Sequence, residues 1–255
     1  MIRSTIVFGL YGTIALTIMA SCSATQTNKL KQQNQGEGWI ELFDGHTFKN
    51  WKSLGSDTIF SHSWKIEDGI LKKEEHPHEN IRADGQPFVG ADLITVDSFE
   101  NFELVFDWKI FKGGNSGLKY NVSEQMAALS GSKHSAIGFE YQLLDDADTL
   151  YAGKLKESQY TGSLYDLLPP QNKPQAVPIE GFNSSRIIVT GDSVEHWLNG
   201  TKILSYQFGS TLLEQAFQQS KFIKIDGFHH KRKGHIVLQD HNSAVWFKNI
   251  KLRVL

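Results

Sequence analysis

The sequence predicts an all-β protein, two antiparallel sheets packed face to face, and three observations carry that prediction. Stretches of alternating apolar and polar residues recur at short spacing from Trp39 onward. Turn pairs such as Asp68-Gly69 and Asn199-Gly200, among 22 glycines in 255 residues, supply the tight connections between them. Strands do not alternate with long helical segments, which argues against a parallel α/β core.

The first segment reads differently. Arg3 precedes a largely apolar stretch, Ile6 to Ile18, whose roughly 13 residues fall short of the ~20 that span a bilayer, so 1–21 reads as a signal peptide. Met19-Ala20-Ser21-Cys22 resembles a bacterial lipobox, which makes Cys22, the chain's one cysteine, the expected lipidation site. Residues 22–38 hold hardly any apolar side chain to bury and read as a flexible tether. The folded domain is expected over 39–255. The resulting localisation is the bacterial cell envelope, lipid-anchored at the outer membrane and facing the periplasm.

Within the domain, Trp64-Lys-Ile66 and Ile70-Leu71 flank a hairpin turn at Glu67-Asp68-Gly69. Phe102 to Trp108 alternates strictly, with Phe102, Leu104, Phe106 and Trp108 on one face and Glu103, Val105 and Asp107 on the other. Leu118 to Val122 sets Lys119 and Asn121 against its apolar residues. Ile137 to Leu143 likewise separates Phe139, Tyr141 and Leu143 from Glu140 and Gln142. Arg186–Thr190, Val194–Leu198 and Lys202–Tyr206 form a meander turning at Gly191-Asp192 and Asn199-Gly200. Leu167 to Pro178 contains four of the six prolines and reads as a stiff loop. One short helix is expected near 210–221, where Leu212, Leu213, Ala216 and Phe217 recur at helical spacing. His235–His241 and Ala244–Val254 close the domain, and a change of phase between Phe247 and Ile250 predicts a bulge near Lys248-Asn249.

Charge narrows the function. With 26 Lys+Arg against 28 Asp+Glu, and the basic residues not collected into one stretch, the electrostatic footprint of a nucleic-acid binder is missing. Lys231-Arg232-Lys233 reads as a solvated loop tip. His76-Pro-His78-Glu79 and His229-His230 come without a recognisable further ligand set, so no cofactor is expected. The carboxylates Asp145, Asp146 and Asp148 leave a structural calcium as an option.

A series of motifs then points to a family. Glu41-Leu-Phe-Asp-Gly-His46 with Trp51, Trp64-Lys-Ile-Glu-Asp-Gly-Ile70, Gly114-Asn-Ser-Gly-Leu-Lys-Tyr120 and Gly138-Phe-Glu-Tyr-Gln-Leu-Leu-Asp145 come first. Ser163-Leu-Tyr-Asp-Leu167, Val194-Glu-His-Trp-Leu-Asn-Gly200, Gly234-His-Ile-Val-Leu-Gln-Asp-His241 and Val245-Trp-Phe-Lys-Asn-Ile250 follow. In this order they resemble the 3-keto-disaccharide hydrolase-like domain family, with Asn242 and Phe182 departing from its usual pattern. The resemblance implies a jelly-roll sandwich of the concanavalin A-like lectin/glucanase type. It also implies a hydrolase for 3-keto-disaccharides and related 3-keto-glycosides.

In such sandwiches the outer surface of one sheet carries the sugar. Parity therefore makes Glu140, Gln142, Lys119, Asn121, Gln239, His241 and Asp107 candidates for a common trough, with Tyr165 at its rim. A ketone at C3 acidifies the C2 proton, so one base and one group polarising the ketone oxygen suffice. Glu140 or His241 is the expected base, and Lys119, Gln142 or Asn121 polarises or positions. Trp64, Trp197 and Tyr165 are candidate stacking platforms, although core packing is the ordinary fate of a sandwich tryptophan. A non-catalytic carbohydrate-binding module of the same fold is the competing expectation.

Overall fold

A computed structural model describes residues 1, 38–59, 63–75, 90–129, 134–173 and 177–255. The expected signal peptide, the lipidation site Cys22, nearly all of the tether and the His76–Glu79 motif lie outside the described residues. Glu37–Leu255 forms one compact unit.

The chain begins with β1 (Trp39–Glu41), β2 (Trp51–Ser53), β3 (Trp64–Glu67), β4 (Ile70–Lys73) and β5 (Leu93–Thr95). The long strands β6 (Phe102–Ile110) and β7 (Asn115–Val122) are followed by a short helix α1 (Glu124–Leu129) and β8 (Phe139–Leu144). The meander β9 (Asn183–Thr190), β10 (Ser193–Leu198) and β11 (Thr201–Gln207) leads into helix α2 (Thr211–Gln218), then β12 (His235–Leu238) and β13 (Val245–Val254).

These strands make two antiparallel sheets. The larger runs β11-β10-β9-β6-β13-β4-β3, with β1 added alongside β13; the smaller runs β2-β5-β12-β7-β8. Sequence chemistry explains the connections. Asp68 and Gly69 both take positive φ, 53° and 73°, as a type I′ turn requires, and Asn199-Gly200 does the same at 46° and 80°. The expected bulge is present: register shifts between Lys248 and Lys251, and Asn249 turns to φ 52°. Helix α2 starts where Ser210 accepts a hydrogen bond from the Leu213 amide, and it buries Leu213 and Phe217.

The main core lies between the sheets. Phe102, Leu104, Phe106 and Trp108 of the larger sheet meet Leu118, Tyr120, Phe139, Tyr141 and Leu143 of the smaller one. Full burial of each such side chain contributes about 1.5–3 kcal/mol, and aromatic edges set the packing, as where Phe106 meets Tyr141 at 5.7 Å. A polar ladder is threaded through this core. The Tyr120 hydroxyl is 2.7 Å from that of Tyr206 and 2.8 Å from His196 Nε2, while His196 Nδ1 is 2.9 Å from the Gly162 carbonyl.

A second apolar cluster, Leu54, Ile94, Val122, Ala136 and Val237, sits on the outer face of the smaller sheet. That face therefore carries buried apolar side chains, and polar residues beside the cluster, Lys119, Glu140 and Gln142, are buried with them. In the larger sheet, edge strand β11 is sealed by the proline-rich loop. Gln171 and Asn172 both donate backbone amides to the Ile203 carbonyl, and their side chains donate to Ser205 and Lys202 carbonyls.

Candidate active site

Cross-strand register builds the site. Lys119 of β7 pairs with Glu140 of β8, and Gly117 pairs with Gln142. On the other side of β7 the Gln239 amide donates to the Gly117 carbonyl over 2.9 Å. Because β-strand side chains alternate, Lys119, Glu140, Gln142 and Gln239 all stand on the outer face of the smaller sheet. Glu140 is 7% exposed, Lys119 3% and Gln142 2%, so what parity presents outward is nonetheless enclosed.

Lys119 is tied down from below. Its ammonium donates to Asp92 Oδ2 over 3.2 Å and to the Ala136 carbonyl over 2.9 Å, which leaves one of its three N–H groups uncommitted. Asp92 is fully engaged, accepting also from the Ala136 amide and the Asp240 amide, each over 2.8 Å. Glu140 differs: its carboxylate makes no hydrogen bond among the described residues. Burial pushes its carboxyl above the usual range, opposed by the nearby Lys119 and Lys221 ammonium groups and assisted by Asp92.

The amides are presented as acceptors. Gln142 Nε2 donates to Asn115 Oδ1 over 3.0 Å, which fixes the amide and leaves Oε1 buried without a partner. Gln239 Oε1 is likewise buried and unpartnered. Buried acceptors call for donors, and hydroxyl groups are donors that can satisfy them. At the rim Tyr165 donates its amide to the Glu140 carbonyl over 2.9 Å. One face of its ring is taken by the Lys221 ammonium, 4.4 Å from the centroid. Burial raises the Tyr165 phenol above its ordinary range, and the Glu140 and Asp166 charges add to it.

His241 lies just beyond β12, exposed to solvent. The protein around it holds its imidazole below the ordinary value, and the Lys119 and Lys73 charges act in the same sense. Its neighbour Asp240 forms an ion pair with the buried Lys73 ammonium at 3.1 Å, so Asp240 is structural while His241 stays on the site's edge.

Two expected members are elsewhere. Asp107 belongs to β6 of the larger sheet, and its carboxylate accepts from Asn249 Nδ2 over 2.6 Å. Alternation told which face it occupied but not which sheet. Asn121 sits at a β-bulge with φ 50°, where register with β12 shifts, and its amide donates to the Arg232 carbonyl rather than facing Glu140. Arg232 in turn donates to the Gly227 and Phe228 carbonyls, so Lys231-Arg232-Lys233 is a docked segment and no solvated tip.

Trp64 is core, donating to the Ala91 carbonyl, and Trp197 stands on the larger sheet beside Arg186 and Lys202. Asp145, Asp146 and Asp148 accept from the Gly113, Thr161 and Leu150 amides and brace their own loops. No group of three or more His, Cys, Asp or Glu converges as metal ligands among the described residues. A surface depression of about 580 Å³, lined by residues including Val96, Phe99 and Leu255, contains none of the groups around Glu140.

Sequence reasoning missed Asp92, Lys73, Lys221 and Gly117. Asp92 gave only a faint signal, an acid placed directly before the buried run Leu93-Ile94-Thr95, where an ionised group needs a partner. Lys221 falls just past the helix and belongs to no periodic pattern.

Two antiparallel sheets, with polar chemistry gathered on the outer face of the smaller one, define the class: an all-β two-sheet antiparallel sandwich. Within it the chain belongs to the family of the 3-keto-alpha-glucoside-1,2-lyase-like domain, whose model matches residues 38–253. It is 32% identical to the 3-keto-disaccharide hydrolase of Bacteroides thetaiotaomicron, over 95% of this chain and 87% of that protein. Among solved structures it resembles a candidate glycosyl hydrolase from Parabacteroides distasonis ATCC 8503, with TM-score 0.72 and 32% identity, covering 86% of this chain and 94% of that one. A second protein of the same description and organism has TM-score 0.63 and 23% identity over 85% and 99% of the two chains, a likeness of fold.

Proposed function

We propose that the protein cleaves 3-keto-glycosides, 3-keto-disaccharides among them, with Glu140 as the base. The observation that carries the reading is a buried carboxylate that makes no hydrogen bond among the described residues, set across the strand pair from an ammonium with one N–H uncommitted among them. An ordinary glycosidase needs two working carboxylates about 5–9.5 Å apart. Asp92, the other acid here, is occupied by three donors, which favours a route using one.

The chemistry follows from the ketone. Glu140 takes the C2 proton, the C–H electron pair forms the enolate of the C3 ketone, and the free N–H of Lys119 stabilises the developing oxyanion. Collapse of the enolate restores C3=O, forms C1=C2 and breaks the C1–O bond. The departing oxygen takes a proton at the rim, where Tyr165 and Lys221 stand. Water then adds across C1=C2, its hydroxyl to C1 and a proton to C2, so the sum of steps is hydrolysis. The elimination agrees with a family described as 1,2-lyase-like, and the sum agrees with the hydrolase name of the Bacteroides relative. Gln142 and Gln239 accept from sugar hydroxyls and hold the ring. The enclosure of Glu140 supports its role, since a carboxyl above the usual range is a stronger base once ionised.

Incubation of the purified protein with 3-keto-trehalose or 3-keto-lactose is expected to release monosaccharide. Glu140→Gln should lower the rate about 10²–10⁴-fold with binding retained, and Asp107→Ala should leave it unchanged. Binding without release by the unaltered protein would make it a carbohydrate-binding module and overturn the proposal. We also propose lipid attachment at Cys22 and residence in the cell envelope, supported by the small residues before that cysteine. Recovery of Cys22→Ser in the same membrane fraction as the unaltered chain would count against it.

A further inference from the structure

We infer that Gly117 is a positioning residue for Glu140: its missing side chain is the space into which the Glu140 carboxylate folds. The inference rests on the reading of Glu140 as the base and deepens it.

Glycine in the middle of a strand calls for a reason, because it is entropically costly there and offers nothing to pack. At Gly117 the backbone supplies none. Its φ is not among the positive values that mark Gly69, Gly162 or Gly200, so an L-residue could adopt the same conformation. Space supplies the reason. A Cβ built on Gly117 would stand 2.3 Å from Glu140 Oε1 and 2.7 Å from both its Cδ and Cγ. Glu140 pairs with Lys119, two residues along from Gly117, so its side chain does not rise straight off the sheet. It leans diagonally and lies flat over the glycine.

The consequence is placement. Gly117 stands in register with Gln142 on β8, and its carbonyl receives the Gln239 amide on its other side. A carboxylate lying over Gly117 is therefore brought into the row that holds the two amides with unpartnered Oε1 atoms. Among the described glycines it is the one whose Cβ space is filled within 3 Å by a carboxylate; at Gly138 and Gly162 the intruders are Val122 and Ile203, and at Gly114 and Gly234 backbone. The contact is with the reacting end of the side chain, so the neighbour cannot give way without moving the proton acceptor.

The test is Gly117→Ala in the full chain, compared with Glu140→Ala and the double variant. The expected result is a kcat for the 3-keto-disaccharide lowered about 100-fold, the cost of a displacement of order 1 Å, with KM within a few-fold. The acid limb of the kcat–pH profile should move, because the displaced carboxyl meets a different environment. In the Glu140→Ala background the second substitution should lower neither the residual rate nor the unfolding temperature further. If Gly117→Ala alone fails to fold, the double variant should fold; failure of both, an unchanged kcat and pH limb, or an equal rate loss in both backgrounds would overturn the inference. Should the unaltered protein show no turnover, the functional reading falls by itself. The inference is then read from the carbon-13 titration of the Glu140 carboxyl, which must differ between the unaltered protein and Gly117→Ala.

Discussion

Acid should unfold this protein through one histidine in particular. His196 is on β10, in phase with Val194 and Leu198, and is 0% exposed. The Gly162 carbonyl can only accept, so Nδ1 carries the proton of the neutral ring and Nε2 accepts from the Tyr120 hydroxyl. Burial holds the imidazole down from 6.5 to about 4, opposed by the bond to Gly162. In the unfolded chain the ring protonates near its ordinary value; in the folded one it resists until about 4. The folded-state pKa is thus depressed, and the stability tied to the neutral ring is whole above about 6.5 and lost progressively as pH falls toward 4. At about 1.4 kcal/mol per pH unit of separation the full loss is about 3 kcal/mol, of which about 2 kcal/mol is gone by about pH 5. Urea unfolding of the unaltered protein and of His196→Gln, near neutral pH and near pH 5, measures it directly. The unaltered protein should lose about 2 kcal/mol more than the variant across that interval. Equal losses in the two proteins would refute the argument. The same protonation bears on the site, because the Gly162 amide donates to the Gln142 carbonyl.

Glu140→Gln should raise the unfolding temperature near neutral pH. The folded carboxyl is held above its ordinary range by burial, so the unaltered protein is most stable below the unfolded carboxylate value and loses that advantage as pH rises through the folded one. The gain should shrink at acid pH in thermal scans, and its absence at neutral pH would contradict the enclosure described for this group. Asp92→Asn leaves the Lys119 ammonium buried without its counter-ion and should cost about 3–5 kcal/mol in denaturant titrations. The double variant with Lys119→Met should recover part of that loss, whereas additive losses would show that the two groups act apart.

Strand parity made much of this molecule legible. The inward row Phe102 to Trp108, the turns at Asp68-Gly69 and Asn199-Gly200 and the bulge at Asn249 all follow from local chemistry that needs no partner to be known. Glu140, Gln142 and Lys119 were reachable the same way. Asp107 was misplaced because alternation reports which side of its own strand a residue occupies, while membership of a sheet depends on pairings between residues far apart in the chain, here Asp107 with Ser184 and Lys248. Asn121 escaped because a single extra residue in β7 turns the side chain out of phase. Asp92 and Gly117 act through what lies against them in space, and neither residue type nor spacing encodes that. His196 had a usable sign, since a histidine in step with valine and leucine points inward.

The sealed margin of β11 also bears on how the protein behaves when crowded. An open strand border is a template onto which a neighbouring molecule can zip and seed a fibril. Here Gln171 and Asn172 occupy the Ile203 rung of that border and clip its flanks at Lys202 and Ser205. Shortening the loop should therefore open this border to a neighbouring molecule's strand before it harms the interior.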